Sequence, residues 1–300
     1  MIVLMVPQGA ALKVDRVAEV AQAADADVIE TRAVPVPETL FDRRTVHNLL
    51  VSSADTEGLS SRLRDLSDQY GVDIALQSRA ARCQSYRLAV FDMDSTLIDC
   101  EVIDQLAAQA GVGEAVAEIT AQAMRGDLDF DESYRSRLAL LEGLDARAVE
   151  ELADRLPVKE GLREMTTTLK AQGLKLAIFS GGFMPIAERL QVDYGFDEVV
   201  ANTLEIASGK VTGRVVPPIV NREHKAAALQ ALATRLGIGV DACIAVGDGA
   251  NDLDMMAMAG LGVAFHAKPA VRAASPIEVT HCGLDGVCYL LGSEGEFANT

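Results

Sequence analysis

Three apolar segments of this 300-residue chain end in side chains that could carry out chemistry. Each segment has the length and the flanking residues of a buried strand. A lysine in a fourth segment, Lys225, adds a positive charge. Carboxylates, a hydroxyl beside free backbone N–H groups and one lysine are the groups that phosphoryl transfer requires. The segments and their polar residues are 88–91 with Asp92 and Asp94, 174–179 with Ser180, and 243–246 with Asp248 and Asp252.

The first of these segments brings two carboxylates close together. Side chains alternate along an extended chain, so Asp92 and Asp94 should lie on the same side and repel each other unless a cation lies between them. A solvated acidic turn is the alternative for this segment taken alone. The same design recurs at Asp248 and Asp252, and a phosphomonoester would bring further negative charge. A divalent cation with oxygen ligands is therefore expected, Mg²⁺ first and Mn²⁺ as the alternative.

The elements around these residues alternate between strand and helix from residue 158 onward. This alternation predicts a parallel sheet with helices on both faces. Ligands of such sheets bind beyond the carboxyl ends of the strands, which is where Asp92, Ser180 and Asp248 are expected. Residues 203–216 alternate around a Ser-Gly pair and predict a β-hairpin beside the site.

Four motifs of the chain resemble, in order, the signature motifs of the haloacid dehalogenase (HAD) superfamily of phosphatases. They are DMDST at 92–96, FSGGF at 179–183, the lysine of NREHK at 221–225 and GDGAND at 247–252. Within this superfamily, residues 85–295 resemble the phosphoserine phosphatase family. The resemblance implies an α/β fold with a doubly wound, mostly parallel sheet of the HAD-like, Rossmannoid type.

A helical insertion follows the first strand of the predicted core. Residues 101–156 show helical spacing and resemble the cap of the family, a lid that keeps unwanted water from the reaction. The phosphatase domain is expected at 85–300, with its core at 85–100 and 157–300 and the cap at about 101–156.

The resemblance also implies roles for the first carboxylates. Asp92 would be the nucleophile that forms an aspartyl-phosphate, and Asp94 would protonate the leaving alkoxide and then activate water. The metal ion would be held by Asp92, the backbone carbonyl of Asp94 and Asp248. The neighbouring carboxylates should raise the pKa of Asp94, as a general acid near neutral pH requires.

Substrate-binding residues are implied in the same way. Glu101 would bind the ammonium group of serine and Arg137 its carboxylate. Each has an alternative: Glu101 as a helix N-terminal carboxylate, and Arg137 in a surface ion pair. The other implied site residues are Ser180, Gly181, Lys225 and Asn251 for the phosphate, Asp252 in support of Lys225, and Met124 and Phe130 as apolar pocket residues or, alternatively, core residues.

The first 80 residues predict a domain of their own. Their strand and helix patterns follow the order βαββαβ, the plan of a small ferredoxin-like α+β domain. A unit of this kind before a phosphoserine phosphatase core resembles an ACT-like regulatory domain, so an amino-acid effector and a homodimer are expected. Residues 77–86 are polar and predict a linker.

The composition narrows the classes of partner and location. The net charge is −17 and no basic stripe is present, which argues against nucleic acid. No apolar run is long enough for a membrane span, and a signal peptide is not indicated. Five cysteines show no disulfide or zinc spacing, which predicts a reduced, cytoplasmic protein.

Three functions are compatible with this pattern. The first is Mg²⁺-dependent hydrolysis of O-phospho-L-serine, the last step of serine biosynthesis. The second is a phosphatase or phosphotransferase for another small metabolite, such as phosphohomoserine or a sugar phosphate. The third is a non-catalytic amino-acid sensor, which the complete set of catalytic residues argues against. An ATPase of the superfamily is disfavoured because those enzymes carry lysine at the position of Asp94.

Overall fold

The computed structural model describes residues 1–36 and 43–292. The predicted domain ranges 1–80 and 85–300 also include residues 37–42 and 293–300, which lie outside the described residues. In the described part, no helix combines the length and the apolar character that crossing a bilayer demands.

The N-terminal sheet is antiparallel and has the strand order β2-β3-β1-β4. Its core consists of aliphatic side chains such as Leu4, Leu49 and Leu63. The second helix begins at Asp55, whose carboxylate accepts a bond from the Gly58 N–H. The predicted order βαββαβ is confirmed. The elements are β1 Ile2–Pro7, α1 Val14–Gln22, β2 Ala26–Val34, β3 Arg44–Ser53, α2 Thr56–Tyr70 and β4 Asp73–Leu76.

The segment 77–86 is not the free linker that its polar composition predicts. It contains a short helix, α3 (Arg79–Cys83), and two of its polar side chains are buried. Gln77 Nε2 donates to the carbonyl of Leu290, and Arg82 Nη1 donates to the carbonyl of Tyr289. These long polar side chains satisfy carbonyl groups near the end of the described chain, which is why a polar segment packs here.

The second sheet has seven strands in the order β11-β10-β9-β5-β6-β7-β8. Every neighbouring pair is parallel except β7 and β8, which form the predicted antiparallel hairpin. The first strand of this unit, β5, lies at the centre, between β6 and β9. The strands are β5 Leu88–Phe91, β6 Lys175–Phe183, β7 Glu198–Ala207, β8 Lys210–Val216, β9 Cys243–Gly247, β10 Leu261–Phe265 and β11 Glu278–Val279.

Helices cover both faces of this sheet. Along β5, Ala89 and Phe91 belong to one apolar cluster while Leu88 and Val90 belong to another, as alternation along a doubly covered strand requires. The doubly wound, mostly parallel fold is therefore confirmed. The helices outside the cap are α8 Leu162–Ala171, α9 Met184–Tyr194, α10 Arg222–Arg235, α11 Leu253–Met258, α12 Pro269–Ala274 and α13 Gly286–Tyr289.

Five helices lie between β5 and β6, and the first four of them fall in the range predicted for the cap. The third of them begins with a capping box in which Asp129 accepts from the Glu132 N–H and Glu132 accepts from the Asp129 N–H. Its buried face carries Tyr134 and Leu138. The four helices are α4 Val102–Gln109, α5 Gly113–Arg125, α6 Phe130–Ala139 and α7 Arg147–Ala153.

Buried charges connect the two sheets at a surface that we call the domain junction. The carboxylate of Asp73, at the start of β4, accepts bonds from the backbone N–H groups of residues 280–282. Arg44 Nε lies 3.1 Å from Asp285 Oδ2, with both side chains almost inaccessible to solvent. The domain junction consists of Arg44, Asp68, Asp73, Arg272, Glu278 and Asp285.

Candidate active site

Three carboxylates meet at the carboxyl ends of the central strands. Asp92 follows β5 directly and Asp248 follows β9, and these strands are neighbours in the sheet. Asp252 ends a short 3-10 turn, Ala250–Asp252, after β9. One oxygen from each of the three carboxylates lies within 4.8 Å of the others, and all three side chains are buried. The convergence predicted for the strand ends is present.

A single buried lysine joins two of these carboxylates. Lys225 Nζ donates to Asp92 Oδ1 and to Asp252 Oδ1, each at 2.7 Å, and its side chain has no solvent exposure. Lys225 lies in the first turn of α10, which begins at Asn221, whose side-chain oxygen accepts from the His224 N–H. Burial opposes the charged amine, but Asp252 and Asp92 outweigh it and raise the pKa of Lys225 above its ordinary value. The lysine is therefore a fixed positive charge.

The remaining carboxylates have few partners. Asp94 accepts one backbone bond, from Val102 N at 3.3 Å, and Asp248 accepts from Thr96 Oγ1 at 3.3 Å. Loss of solvent, followed by the charges of Glu101 and Asp92, raises the pKa of Asp94 well above its ordinary value. Burial and then the charge of Asp92 raise the pKa of Asp248 to about 6. This group of carboxylates carries more negative charge than its lysine balances.

Two glycines let the backbone approach these carboxylates closely. A Cβ atom at Gly182 would lie 2.6 Å from Asp94 Oδ2, and one at Gly247 would lie 2.4 Å from the Asp252 carboxylate. Real Cβ atoms do not approach other atoms so closely, so a side chain at either position would displace one of these carboxylates. Gly182 N also donates to Ser180 Oγ, which keeps the fully buried hydroxyl of Ser180 at the end of the apolar part of β6.

Glu101 is held on the same side of the site as the DMDST loop. Ser95 has a positive φ of 60°, and its hydroxyl donates to Glu101 Oε1 at 2.8 Å. Glu101 occupies the position before α4 but makes no capping bond with its side chain. The carboxylate is thus turned toward the DMDST loop rather than toward the helix terminus.

The cap contributes Phe130 and Arg137 from α6. The Phe130 ring approaches the phosphate-binding loop predicted at β6, since a Cβ at Gly181 would lie 3.6 Å from Phe130 Cζ. Arg137 is half-buried, and its Nε donates to the carbonyl of Ser133 at 3.4 Å. No carboxylate of residues 1–36 or 43–292 forms an ion pair with Arg137, so the described residues give no support to the alternative of a surface ion pair.

Met124 is not brought into the site. It lies in the last turn of α5 with 73% of its surface exposed, so the alternative that it packs in the core is wrong as well. Its position next to the end of a helix, at a turn closed by Gly126, explains why its apolar side chain remains in solvent. Asn251 is half-buried beside Asp252, within the turn after β9.

Three polar residues around the site are additional to the sequence predictions. Thr96, inside the DMDST motif, binds Asp248. Lys268 Nζ lies 3.5 Å from Asp248 Oδ2, and it follows β10 at a strand end, which is the signal that identified Ser180. Asn202 Nδ2 donates to the carbonyl of Gly181 and its Oδ1 accepts from Val220 N. The feature of the sequence that could have indicated Asn202 is an amide side chain within a strand.

The carboxylate cluster fits a hard divalent cation. Its donors are oxygen atoms, they are close together, and the positive charge of one lysine does not balance them. The raised pKa of Asp248 has the same physical origin, because a buried carboxylate beside another carboxylate favours its protonated form when no cation is present. The residues present therefore match the metal dependence of HAD phosphatases.

Comparisons with known proteins agree with this geometry. Residues 86–260 match the family model described as haloacid dehalogenase-like hydrolase, which is more than half of the chain. The chain is 46% identical over 259 residues to the phosphoserine phosphatase of Streptomyces coelicolor, covering 85% of this chain and 63% of that protein. It is 43% identical over 209 residues to the phosphoserine phosphatase of Streptococcus thermophilus, covering 70% and 97% respectively.

Solved structures that resemble this chain indicate the same family. A HAD family hydrolase from Salmonella enterica serovar Typhi superimposes with a TM-score of 0.87 at 30% identity, covering 98% of each chain. A substrate-bound phosphoserine phosphatase superimposes with a TM-score of 0.65 at 37% identity, covering 69% of this chain and 98% of the other.

The extent of these matches defines what they establish. The chain spans 63% and 57% of the length of its curated relatives from Streptomyces coelicolor and Mycobacterium tuberculosis. It covers 97% of the shorter relative from Streptococcus thermophilus. The chain therefore belongs to the haloacid dehalogenase-like hydrolase family, and within that family it groups with the phosphoserine phosphatases.

Proposed function

We propose that this chain hydrolyses O-phospho-L-serine to L-serine and phosphate, the last step of serine biosynthesis. The observation that carries the proposal is the buried cluster of Asp92, Asp248 and Asp252 with Lys225 bound between two of them. A structural salt bridge would not need three carboxylates around one lysine. Curated relatives named phosphoserine phosphatase support the choice of substrate.

Asp92 is the proposed nucleophile. It attacks phosphorus, the bond from phosphorus to the serine oxygen breaks, and an aspartyl-phosphate forms. Lys225 donates to Asp92 Oδ1, which leaves Oδ2 for the attack and orients the carboxylate. The ammonium of Lys225 also neutralises charge that develops on the transferred group, while Ser180 and the Gly181 N–H bind phosphate oxygens. Asp252 holds the lysine in place.

Asp94 is the proposed general acid and base. Its raised pKa favours the protonated carboxyl, and that proton would pass to the departing serine oxygen. The resulting carboxylate then removes a proton from the water that cleaves the aspartyl-phosphate. Asn251, in the adjacent turn, is proposed to contact the phosphate or the nucleophile.

A divalent cation completes the proposed site, with Mg²⁺ favoured over Mn²⁺. Asp92, the backbone carbonyl of Asp94 and Asp248 would hold it. When bound, such an ion neutralises phosphate charge and lowers the cost of bringing an anionic ester to anionic carboxylates. The oxygen-only donor set supports Mg²⁺.

The amino-acid part of the substrate is proposed to bind beneath the cap. Glu101, oriented by Ser95, accepts hydrogen bonds from the ammonium group, and Arg137 donates hydrogen bonds to the carboxylate. The absence of a carboxylate partner for Arg137 in the described ranges supports this role, because its guanidinium retains donors for a ligand. Phe130 provides an apolar wall. Met124 would contribute only if its exposed side chain turned inward.

The domain assignment belongs to the same proposal. Residues 1–80 are proposed as an ACT-like regulatory domain, and 85–300 as the phosphatase domain with its cap at about 101–156. The antiparallel sheet with two helices supports the first assignment. We further propose an amino-acid effector, a homodimer and a cytoplasmic location. All five cysteines are in the described ranges as free thiols, which supports a reducing compartment.

A panel of phosphate esters tests the proposed reaction. Phosphate release is measured with Mg²⁺ from L-phosphoserine, D-phosphoserine, phosphothreonine, phosphohomoserine and sugar phosphates. We expect L-phosphoserine to give the highest kcat/KM, EDTA to abolish release, and added Mg²⁺ to restore it. If phosphate were released only from other esters, and only with metal, the proposed substrate would be wrong and the proposed reaction would stand. No release from any ester would contradict the proposed enzyme.

A further inference from the structure

The hydroxyl of Tyr134 has no role in the reaction as described so far. Tyr134 lies on α6 in the cap, with 3% of its surface exposed. Its Oη has no hydrogen-bond partner with acceptable geometry among the described residues. A buried hydroxyl that lacks a partner costs folding free energy, and native proteins rarely retain one without a reason.

The surroundings of this hydroxyl belong to the candidate site. The Tyr134 ring stacks on Phe130 with 6.1 Å between ring centroids, and it lies 6.4 Å from the ring of Phe183, where β6 ends. The charges of Asp94 and Arg137 both act on the hydroxyl, and the Asn202 amide is close to it. Tyr134 also lies three residues before Arg137 on α6, so the two side chains share one side of the helix, and Asp94 is near enough for its charge to act on the hydroxyl.

The hydroxyl remains a hydrogen-bond donor at any working pH. Burial, and then the charge of Asp94, raise the pKa of Tyr134 well above its ordinary value. A neutral phenol beside a guanidinium offers one O–H in addition to the fork of N–H donors. An anionic ligand group that reaches Arg137 would meet both.

We propose that Tyr134 is a substrate-binding residue that donates its hydroxyl hydrogen bond to the carboxylate of an amino-acid phosphate ester, beside Arg137. The inference rests on the proposed function and adds to Glu101 and Arg137 a third residue that binds the amino-acid group. The other acceptors of such an ester already have donors, since Asp94 protonates the leaving oxygen and Lys225 and Ser180 serve the phosphate. The carboxylate has Arg137 as its one assigned donor, and its two oxygens can accept further hydrogen bonds.

This role has a consequence for specificity. An ester that lacks the carboxylate, such as O-phosphoethanolamine, leaves the Tyr134 hydroxyl without a partner, as it is in the free protein. Binding of that ester gains nothing from the hydroxyl, so removal of the hydroxyl should leave kcat/KM for that ester unchanged. Binding of L-phosphoserine should depend on it, because a donor to a charged acceptor discriminates strongly in a buried site.

Tyr134→Phe tests the proposal, because it removes the hydroxyl and keeps the ring between Phe130 and Phe183. Steady-state kinetics are measured for L-phosphoserine and O-phosphoethanolamine. We expect KM for L-phosphoserine to rise about tenfold, with kcat within about twofold, and kcat/KM for O-phosphoethanolamine to be unchanged. Without ligand, the melting temperature should rise, since an unpaired buried hydroxyl is gone.

Tyr194→Phe is the matched control. The Tyr194 ring lies under the Arg163 guanidinium at 4.7 Å from the centroid, on α9 outside the cap. This variant should change neither KM nor substrate preference.

Four outcomes would overturn the inference. If the unmodified chain releases no phosphate from L-phosphoserine, the proposed function fails and this inference fails with it. If the unmodified chain is active and Tyr134→Phe leaves its KM unchanged, only the inference fails. An equal loss of kcat/KM for both esters, with a shifted pH profile, would show that the hydroxyl acts on Asp94 and not on the substrate carboxylate. A lower melting temperature with unaltered kinetics would give it a structural role alone.

Discussion

The candidate active site and the domain junction both bury charged side chains, but they balance them differently. At the junction, the buried carboxylates of Glu278 and Asp285 and the exposed carboxylate of Asp68 each lie within ion-pair distance of an arginine. Asp73, without an arginine, receives bonds from three successive backbone N–H groups. In the active site, Lys225 serves two carboxylates, and Asp94 and Asp248 are left with single long bonds within the chain and the exposed Lys268.

The difference separates charges that hold a fold from charges that await a ligand. A buried carboxylate costs free energy unless donors or cations compensate it. At the junction the chain itself supplies an arginine or backbone N–H groups to each carboxylate, so these groups connect the two sheets, although the oxygens of Asp285 form no hydrogen bond. In the active site the chain supplies too little, so a cation and a substrate must complete it. Burial of charge alone would not have distinguished the two regions.

The largest expected effect breaks the active site without breaking the fold. Asp92→Asn removes the nucleophile, and we expect kcat for L-phosphoserine to fall by at least about 10³-fold. The melting temperature should remain within a few degrees, because Lys225 keeps Asp252 as a partner. Phosphate release and thermal unfolding measure the two effects.

Asp99→Asn is the control for that variant. Asp99 lies in the same loop, exposed and paired with Lys159, and should leave kcat unchanged. Substantial turnover by Asp92→Asn would contradict the role of the nucleophile.

The second expected effect breaks the junction without breaking the chemistry. Arg44→Met leaves the buried carboxylate of Asp285 without its cation, and the free energy of unfolding should fall by about 3–5 kcal/mol. Values of kcat/KM at a temperature where the variant is folded should stay within about twofold, since the ion-pair partners of Arg44 in the described residues, Glu160 and Asp285, are not site residues. Chemical denaturation gives the first number.

Arg43→Met is the neighbouring control, because both side chains of the Arg43–Glu160 pair are more than half exposed. Its free energy of unfolding should change by less than about 1 kcal/mol. Equal losses in the two arginine variants would show that burial is not what makes the junction stabilising.

The smallest expected effect concerns pH and sharpens the comparison. In the folded protein without a cation, the pKa of Asp248 is raised to about 6 and that of Asp94 is raised as well. Between about pH 4 and pH 6 the folded state then binds more protons than the unfolded state, so stability falls as pH rises. In EDTA, lowering the pH from 7 to 5 should raise the melting temperature by about 2–4 °C.

A divalent cation separates the two regions in this experiment. Saturating Mg²⁺ should raise the melting temperature at pH 7 and remove most of the gain on acidification, because the cation stabilises the ionised carboxylates. Asp285, at the junction, also has its pKa raised to about 6, mainly by burial, and contributes equally with and without the cation. A pH profile that Mg²⁺ does not alter would argue against carboxylate ligands at this site.

Much of the active site could be predicted because its residues follow strands. The ends of β5, β6 and β9 are read from apolar runs that stop at polar residues, and parallel topology brings such ends together. The helical cap and the βαββαβ order were predictable from periodicity for the same reason. These patterns are local, and each requires only a short window of sequence.

The junction could not be predicted because its pairs are far apart in the chain. Arg272 binds Asp68 across 204 positions, and Gln77 reaches the carbonyl of Leu290 across 213. No local pattern indicates such a contact, so the polar composition of residues 77–86 predicts a linker. The role proposed for Tyr134 could not be predicted either, since periodicity indicates which face of a helix is buried and not what the hydroxyl meets there.

The carboxylate of Asp73 also makes the junction observable. The N–H groups of residues 280–282 are bound to a side chain of the other sheet, at 2.6–3.1 Å, and Asp73 itself is buried. Their hydrogens can exchange with deuterium only when the two sheets move apart or the loop opens locally. The exchange rate of these three amides therefore sets an upper limit on how often the N-terminal unit separates from the unit that carries the candidate site, in the unmodified chain and without any added probe.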